Sequence, residues 1–203
     1  MTVSSLQKTS SEHVTIVWEE CEPLKSTLGV VAEFRLFPGG VVSHEIFQQI
    51  RQRSSVALWR EKALEMISRR QYSARELSLK LEQKGASPEE ASEVVQWLTE
   101  HRYIDDAQYA SAVVRHYSSK GYGLGRIRSE FSRRGIPREY WQDALSESSD
   151  PADTLDSLLA KKLKDPADRQ QVQKAASFLY RRGYSWNDIQ SSIERMKHDE
   201  NNH

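Results

Sequence analysis

Apolar side chains recur every three or four residues over most of the chain, which is the spacing of one face of an α-helix. From residue 56 to about residue 197 this spacing predicts helix almost throughout. Ser73 and Ser87 are each followed three residues later by a glutamate, as in a helix capping box. Asp105 begins another helical stretch, and Gly85 is predicted to end one. The sequence therefore predicts a mainly α fold of short helices joined by short connections.

Three further segments carry signals for the start of a helix. Ser185, with Asp188 three residues later, is predicted to open the last long helix. Segments 150–153 and 165–168 both read Asp-Pro-Ala-Asp. In each segment the first aspartate is predicted to cap a helix whose first residue is the proline. The amide hydrogen that proline lacks would have no partner within the helix at this position.

The first part of the chain has a different pattern. Residues 14–18 and 30–37 are rich in β-branched and aromatic side chains, and Pro-Gly-Gly at 38–40 is a strong turn signal before Val41 and Val42. These features predict a small antiparallel sheet of two or three strands. Residues 1–11 are polar and are expected to fray, whereas Ser43 is predicted to start a helix at about residue 44.

The strongest signal is an internal repeat. In three stretches a basic helix end leads to a tyrosine, a cap residue, and apolar residues four and eight positions after the cap. We interpret this as a helix-turn-helix unit used three times, each too small to be stable without its neighbours. The repeat predicts an elongated, curved array. The equivalent residues are Tyr72 with Leu77 and Leu81, Tyr122 with Ile127 and Phe131, and Tyr184 with Ile189 and Ile193.

These signals predict five segments along the chain. They are an N-terminal tail and small β-rich segment at 1–43, a first helical repeat with its preceding helix at 44–104, a second, basic repeat at 105–149, a third repeat at 150–197, and a disordered tail at 198–203.

The formal net charge is zero, but the charges are unevenly distributed. Residues 109–141 hold seven basic and two acidic side chains, whereas residues 146–168 hold six acidic and three basic ones. We predict that the basic stretch contacts DNA phosphates or an acidic protein filament. The alternative is that these side chains only solvate outer helix faces. The candidates are Arg115, Lys120, Arg126, Arg128, Arg133 and Arg134, with Arg126, Arg133 and Arg134 foremost.

The chain shows no recognisable catalytic arrangement, and neither a cofactor nor a metal is predicted. Adjacent carboxylates such as Asp105 and Asp106 diverge by about 100° on a helix, so capping explains them better than paired catalysis. Segment 121–126 is glycine-rich, but no strand precedes it and no phosphate-loop lysine follows. We interpret it as a flexible turn with a glycine cap, and the alternative is an anion contact through free amides.

The single cysteine, Cys21, cannot form an intramolecular disulfide, which fits a reducing cytoplasm. No apolar run approaches the roughly 18 residues of a membrane span. A soluble cytoplasmic protein is therefore expected. Core packing is predicted for four tryptophans, with base stacking as the alternative: Trp59, Trp97, Trp141 and Trp186.

Several motifs together resemble the RecX family over about residues 44–195. Residues 103–106 read Tyr-Ile-Asp-Asp, followed by Tyr109, and are similar to a family signature in which a glycine usually precedes the first tyrosine. Here Arg102 takes that place, so this turn is expected to close differently. The segments 121–127, 134–136 and 181–185 resemble further family elements in the same order. Structural roles are expected for Tyr72, Tyr103, Asp105, Asp106, Tyr122, Gly135 and Tyr184.

The resemblance implies three tandem three-helix modules and a non-enzymatic regulator. It implies binding in the groove of the RecA filament on DNA, and inhibition of the ATPase, recombinase and coprotease activities of RecA in bacterial DNA repair. Single- or double-stranded DNA is a further expected partner, and the protein is expected to be a monomer. The alternative from the residues themselves is a helix-turn-helix DNA-binding protein.

Overall fold

A computed structural model describes residues 1–147 and 151–201, without the side chains of 151, 152 and 199–201. These residues form one three-stranded sheet and ten α-helices. They group into two compact units. The first unit comprises Met1–Gln71 and Glu76–Ile104, and the second comprises Tyr72–Arg75 and the chain from Asp105 onward. The prediction of a mainly α fold with an N-terminal β-rich segment is confirmed.

An antiparallel sheet in the order β1-β2-β3 opens the first unit. The strands are β1 (Val3–Lys8), β2 (His13–Trp18) and β3 (Leu24–Thr27). Strand β2 is the predicted strand at 14–18, and its alternating side chains enter the core. The expectation that residues 1–11 fray is wrong, because β1 pairs with β2 from Lys8↔Val14 to Val3↔Trp18.

The second predicted strand, at 30–37, is also wrong. The segment begins as helix α1 (Leu28–Glu33), because the Thr27 hydroxyl accepts a hydrogen bond from the amide of Val30 and caps a helix there. The turn at 38–40 is confirmed, and its glycines exchange backbone hydrogen bonds with Val3. Val41 forms only an isolated bridge with Thr2.

Helix α2 (His44–Arg69) starts at the predicted place, with Ser43 as its cap. Phe47 meets Trp18 edge to face, with ring centroids 4.9 Å apart. The first unit continues with α3 (Ala74–Gln83), whose first two residues belong to the second unit, and α4 (Pro88–Glu100), which packs on α2. The capping box of Ser87 is confirmed, and that of Ser73 stays a prediction.

Helices α5 (Asp106–Ser119), α6 (Leu124–Arg134) and α7 (Trp141–Ser146) surround one core of the second unit. A 3-10 turn at Arg138–Tyr140 precedes α7. The core consists of buried side chains from all three helices and from the segment that joins α6 to α7, among them Val113, Ile127, Phe131 and Ile136.

Helices α8 (Pro151–Lys162), α9 (Arg169–Arg181) and α10 (Trp186–Asn201) form a further core in the same unit. Of the two Asp-Pro-Ala-Asp segments, the cap predicted at Asp150 lies outside the described residues. The cap predicted at Asp165 is wrong, because Asp165 instead accepts from the amide of Ala167 in a turn, and Asp168 caps α9. Helix α10 runs into the predicted tail at 198–203, of which residues 202 and 203 lie outside the described range.

The repeat register predicted from the sequence is confirmed. In each repeat the tyrosine stands two residues before the first residue of a helix. The three helices are α3, α6 and α10. All six equivalent apolar side chains are buried: Leu77, Leu81, Ile127, Phe131, Ile189 and Ile193. Among the helices that the structure describes, none is long and apolar enough to cross a lipid bilayer.

Candidate interaction surface

The glycine-rich turn before α6 is hydrogen-bonded, backbone to backbone, to the turn between α9 and α10. The amide of Gly123 donates to the carbonyl of Arg182, and the amide of Gly125 donates to the carbonyl of Gly183, each at 2.9 Å. A Cβ on Gly183 would lie 2.2 Å from the amide nitrogen of Arg126, and φ at Gly183 is +90°. Gly123 is the predicted helix cap. The alternative of an anion contact fails at Gly123 and Gly125, because backbone carbonyls already occupy their amides.

Side chains of the third repeat secure the same contact. Arg182 donates through Nη1 to the carbonyls of Lys120 and Gly121, at 2.7 and 3.0 Å. Its guanidinium also lies 4.9 Å from the ring centre of Tyr122. The hydroxyl of the buried Tyr184 points to the carbonyl of Gly121, at 3.4 Å. Two family motifs, at 121–127 and 181–185, are therefore the two halves of one packing contact.

The adjacent aspartates of the Tyr-Ile-Asp-Asp motif cap two different helices. Asp105 caps its own helix α5 by accepting from the amide of Gln108 at 2.8 Å. Asp106 accepts from the amide of Ala74, the first residue of α3, at 3.0 Å. Burial raises the pKa of Asp106 above its ordinary value, although the amide of Ala74 acts in the opposite direction. Capping, as predicted, is what these carboxylates do.

Segment 72–75 packs against the end of α6, within the second unit. Gly135 ends α6 in the left-handed conformation, with φ +66°, and a Cβ there would lie 2.8 Å from Cδ of Arg75. The hydroxyl of Ser73 donates to the carbonyl of Arg134. Tyr72 is half-buried beside this contact. The glycine is thus required both for its backbone conformation and for a close approach.

Tyr103, in the first unit, lies on an exposed aromatic surface that the sequence did not reveal. The residue is 56% exposed, and its ring stacks on that of Trp97, with centroids 5.8 Å apart. Trp97 also stacks on His101 at 4.2 Å and lies beneath the guanidinium of Arg60 at 4.2 Å. Arg102 has φ +58°, so it adopts the left-handed conformation at the position where the family pattern has glycine.

The three foremost cationic candidates gather around one buried carboxylate, Glu130. Arg126 approaches Oε1 at 3.1 Å, Arg133 approaches Oε2 at 2.6 Å, and Arg134 approaches Oε2 at 3.4 Å. Arg134 also donates to the hydroxyl of Tyr109. Burial on its own would raise the pKa of Glu130, but the hydrogen bond and charge of Arg133 hold it below its ordinary value. The three guanidinium groups therefore share one carboxylate, which balances one of the positive charges counted in the sequence.

The other candidates extend into solvent. Arg115 is exposed and lies 3.6 Å from Glu147, a pairing that solvent weakens. Lys120 and Arg128 are exposed and pair with no carboxylate in the part of the chain that the structure describes. The contact of these candidates with a partner stays a prediction.

Family models match the three helical repeats in order. The first three-helix domain of RecX matches residues 60–98, the second matches 105–145 and the third matches 149–193. A regulatory protein RecX of Xanthomonas axonopodis pv. citri is 34% identical over 135 residues, which are 65% of this chain and 83% of that protein. One from Vibrio parahaemolyticus is 32% identical over 137 residues, 66% of this chain and 88% of that protein.

Solved structures share the same fold. A crystal structure of a regulatory protein RecX superposes with a TM-score of 0.77 at 20% identity, over 95% of this chain and 98% of that one. The RecX of Lactobacillus salivarius gives 0.63 at 23% identity, over 70% of this chain and 96% of that one.

The fold and the matched domains define a helical-repeat protein built from three tandem three-helix domains. The chain belongs to the RecX family. Its relatives carry the name of regulatory proteins.

Proposed function

We propose that this protein regulates the RecA recombinase by binding the RecA filament on DNA in the cytoplasm. It acts as a monomer and mainly inhibits the ATPase, recombinase and coprotease activities of RecA, without catalytic chemistry of its own. The observation that carries the proposal is the match of all three RecX domains, in order, across residues 60–193.

Surface charge supports the second repeat as a region of contact. Arg115, Lys120 and Arg128 are exposed, and solvated cations on one module attract an anionic filament over several ångströms. Each cation around Glu130 contributes less, because the three guanidinium groups share the negative charge of that carboxylate.

The test is the ATPase activity of RecA on single-stranded DNA, with the protein added at substoichiometric ratios. We expect hydrolysis to fall. The variant Arg115→Glu/Lys120→Glu should inhibit at least tenfold less well, whereas Lys174→Glu, on exposed α9 surface, should inhibit as the wild type does. Unchanged hydrolysis with the wild-type protein would remove the proposal. The alternative of a helix-turn-helix DNA-binding protein would then require tight, salt-dependent duplex binding without RecA.

A further inference from the structure

A groove of about 640 Å³ lies in the third repeat, between α9 and α10. Helix α9 lines it from Arg169 to Ala176, and α10 lines it from Trp186 to Lys197. The lining positions recur every three or four residues along each helix, so each helix contributes one face. The floor is apolar, because Ala176 and Ile193 are buried and Val172 is half-buried. The groove therefore belongs to this repeat on its own.

An indole ring is open to solvent where α10 begins. Trp186 is the first residue of α10, is 52% exposed, and lines the groove. No other ring among the described side chains stacks on it. Aromatic rings gain free energy by stacking on one another in an offset arrangement. A flat apolar ligand in the groove would therefore both cover Trp186 and rest on the apolar floor.

Two cations lie at the other ends of the two helices. Arg169 is the first residue of α9, and Lys197 is near the end of α10, so both are far from the turn at 182–185 that joins the helices. Lys197 follows Trp186 by eleven residues, which is about 16 Å along a helix. Both cations are exposed, and neither pairs with a carboxylate among the described side chains. Glu194 is the single acidic residue of the described lining, which leaves a net positive charge.

We propose that this groove binds a small amphipathic anion, which has a flat apolar body and one carboxylate or sulfonate group. The apolar body lies on the floor and stacks on Trp186, and the anionic group pairs with Arg169 or Lys197. A recess of this volume is in the range of small-ligand sites, which combine apolar surface with a few polar groups that orient the ligand. A neutral ligand would leave both cations unused, and an inorganic anion would leave Trp186 uncovered. The inference goes beyond the proposed function, because the ligand is neither a filament nor DNA.

The test is a fluorescence titration of the full chain with 1-anilinonaphthalene-8-sulfonate, compared with its uncharged analogue N-phenyl-1-naphthylamine. We expect the sulfonate to bind at one site, about tenfold more tightly than the analogue, because only the sulfonate pairs with the cations. Trp186→Ala should weaken the binding of both probes about tenfold through lost stacking, whereas Trp186→Phe keeps a ring and should retain most of the affinity.

Charge variants separate a role in binding from a role in folding. Arg169→Ala/Lys197→Ala should weaken binding of the sulfonate about tenfold and leave binding of the uncharged analogue unchanged. Glu194→Gln removes the acidic side chain of the lining and should strengthen binding of the sulfonate about twofold. A variant that merely loosened the fold would not act on one probe alone.

Matched controls are Tyr180→Ala, which removes an exposed ring outside the groove, and Lys174→Ala, which removes an α9 cation outside it. Circular dichroism checks that every variant keeps its helices. The proposal is overturned if Trp186→Ala binds the sulfonate as the wild type does, or if the two probes bind equally well. Displacement of the probe by phosphatidylglycerol vesicles but not by naphthalene-2-sulfonate would assign the groove to a membrane surface instead. Affinity that falls as the protein concentration rises would assign it to a second copy of this chain.

Discussion

Two turns of this protein place a residue with left-handed backbone directly before a tyrosine, but the residue is a glycine in one turn and an arginine in the other. Gly183, before Tyr184, and Arg102, before Tyr103, both have a left-handed backbone, with φ +90° and +58°. The turn at Gly183 lies against the backbone of Arg126, and Tyr184 is buried. The turn at Arg102 is exposed, as is Tyr103. The comparison teaches that close backbone approach makes glycine essential, since the left-handed conformation on its own tolerates a larger residue at modest cost.

The largest expected effect is therefore that of Gly183→Ala. Its Cβ would meet the amide nitrogen of Arg126 at 2.2 Å, and its backbone is also strained. We expect a loss of about 4 kcal/mol in the free energy of unfolding, measured with urea.

The control is Gly85→Ala, because φ is +108° there but no atom lies within 4 Å of the added Cβ. This variant should lose only about 1 kcal/mol. Equal losses at the two positions would show that conformation, rather than contact, decides where glycine is needed.

The second test removes the buried carboxylate of Glu130, which pairs with Arg126 of the same turn contact. Glu130→Gln leaves three guanidinium groups without their buried counter-charge and should destabilise the fold by about 2 kcal/mol at neutral pH. Because the folded state lowers the pKa of Glu130, its stabilisation is present at neutral pH and is lost as the pH falls through that lowered value. The difference between wild type and variant should thus shrink on acidification below about pH 4. A constant difference down to pH 2 would argue against this role.

The third test concerns the cap that Asp106 provides to α3. Asp106→Ala removes the acceptor for the amide of Ala74 and should cost about 1 kcal/mol. Asp106→Asn keeps an acceptor. Since burial raises the pKa of Asp106, the ionised form is disfavoured in the folded state, so the neutral amide should be tolerated at pH 7. Thermal unfolding of both variants measures the difference in stability. An asparagine variant as unstable as the alanine variant would contradict the assignment.

The smallest expected effect is a gain. Arg102→Gly relieves the left-handed strain at an exposed position and should stabilise the protein by about 0.5–1 kcal/mol. Arg35→Gly, at φ +48°, provides a second position of the same kind. If Arg102→Gly destabilises the protein, the arginine side chain has a structural role.

Local signals explain how much of the fold was predictable. Ser43, Ser87, Asp105 and Ser185 mark helix starts correctly, because a cap involves only residues within one turn. The strand predicted at 30–37 was wrong because a local cap was overlooked. Thr27 caps a helix there, and the β-rich composition concealed it. Strand β1 was missed because its stability comes from pairing with β2 rather than from its own polar sequence.

The candidate surface was less predictable, because it depends on distant segments. The Glu130 cluster could have been found, since Arg126, Arg133 and Arg134 stand three or four residues from the carboxylate. The cleft between α6 and α9 could not be predicted, because Arg128 and Tyr180, which line it, are brought together only by tertiary packing. The exposed Trp186, predicted to pack in the core, shows the same limit.

The central claim is that this chain acts on the RecA filament through the outer surface of its second repeat. A crosslinking map on an assembled RecA–DNA filament, with a lysine-reactive reagent, tests it most directly. We expect crosslinks to RecA from Lys120 and none to RecA from Lys8 and Lys25 of the sheet, although their exposed amines also react with the reagent. Crosslinks confined to Lys8 and Lys25, or none at all, would contradict the account.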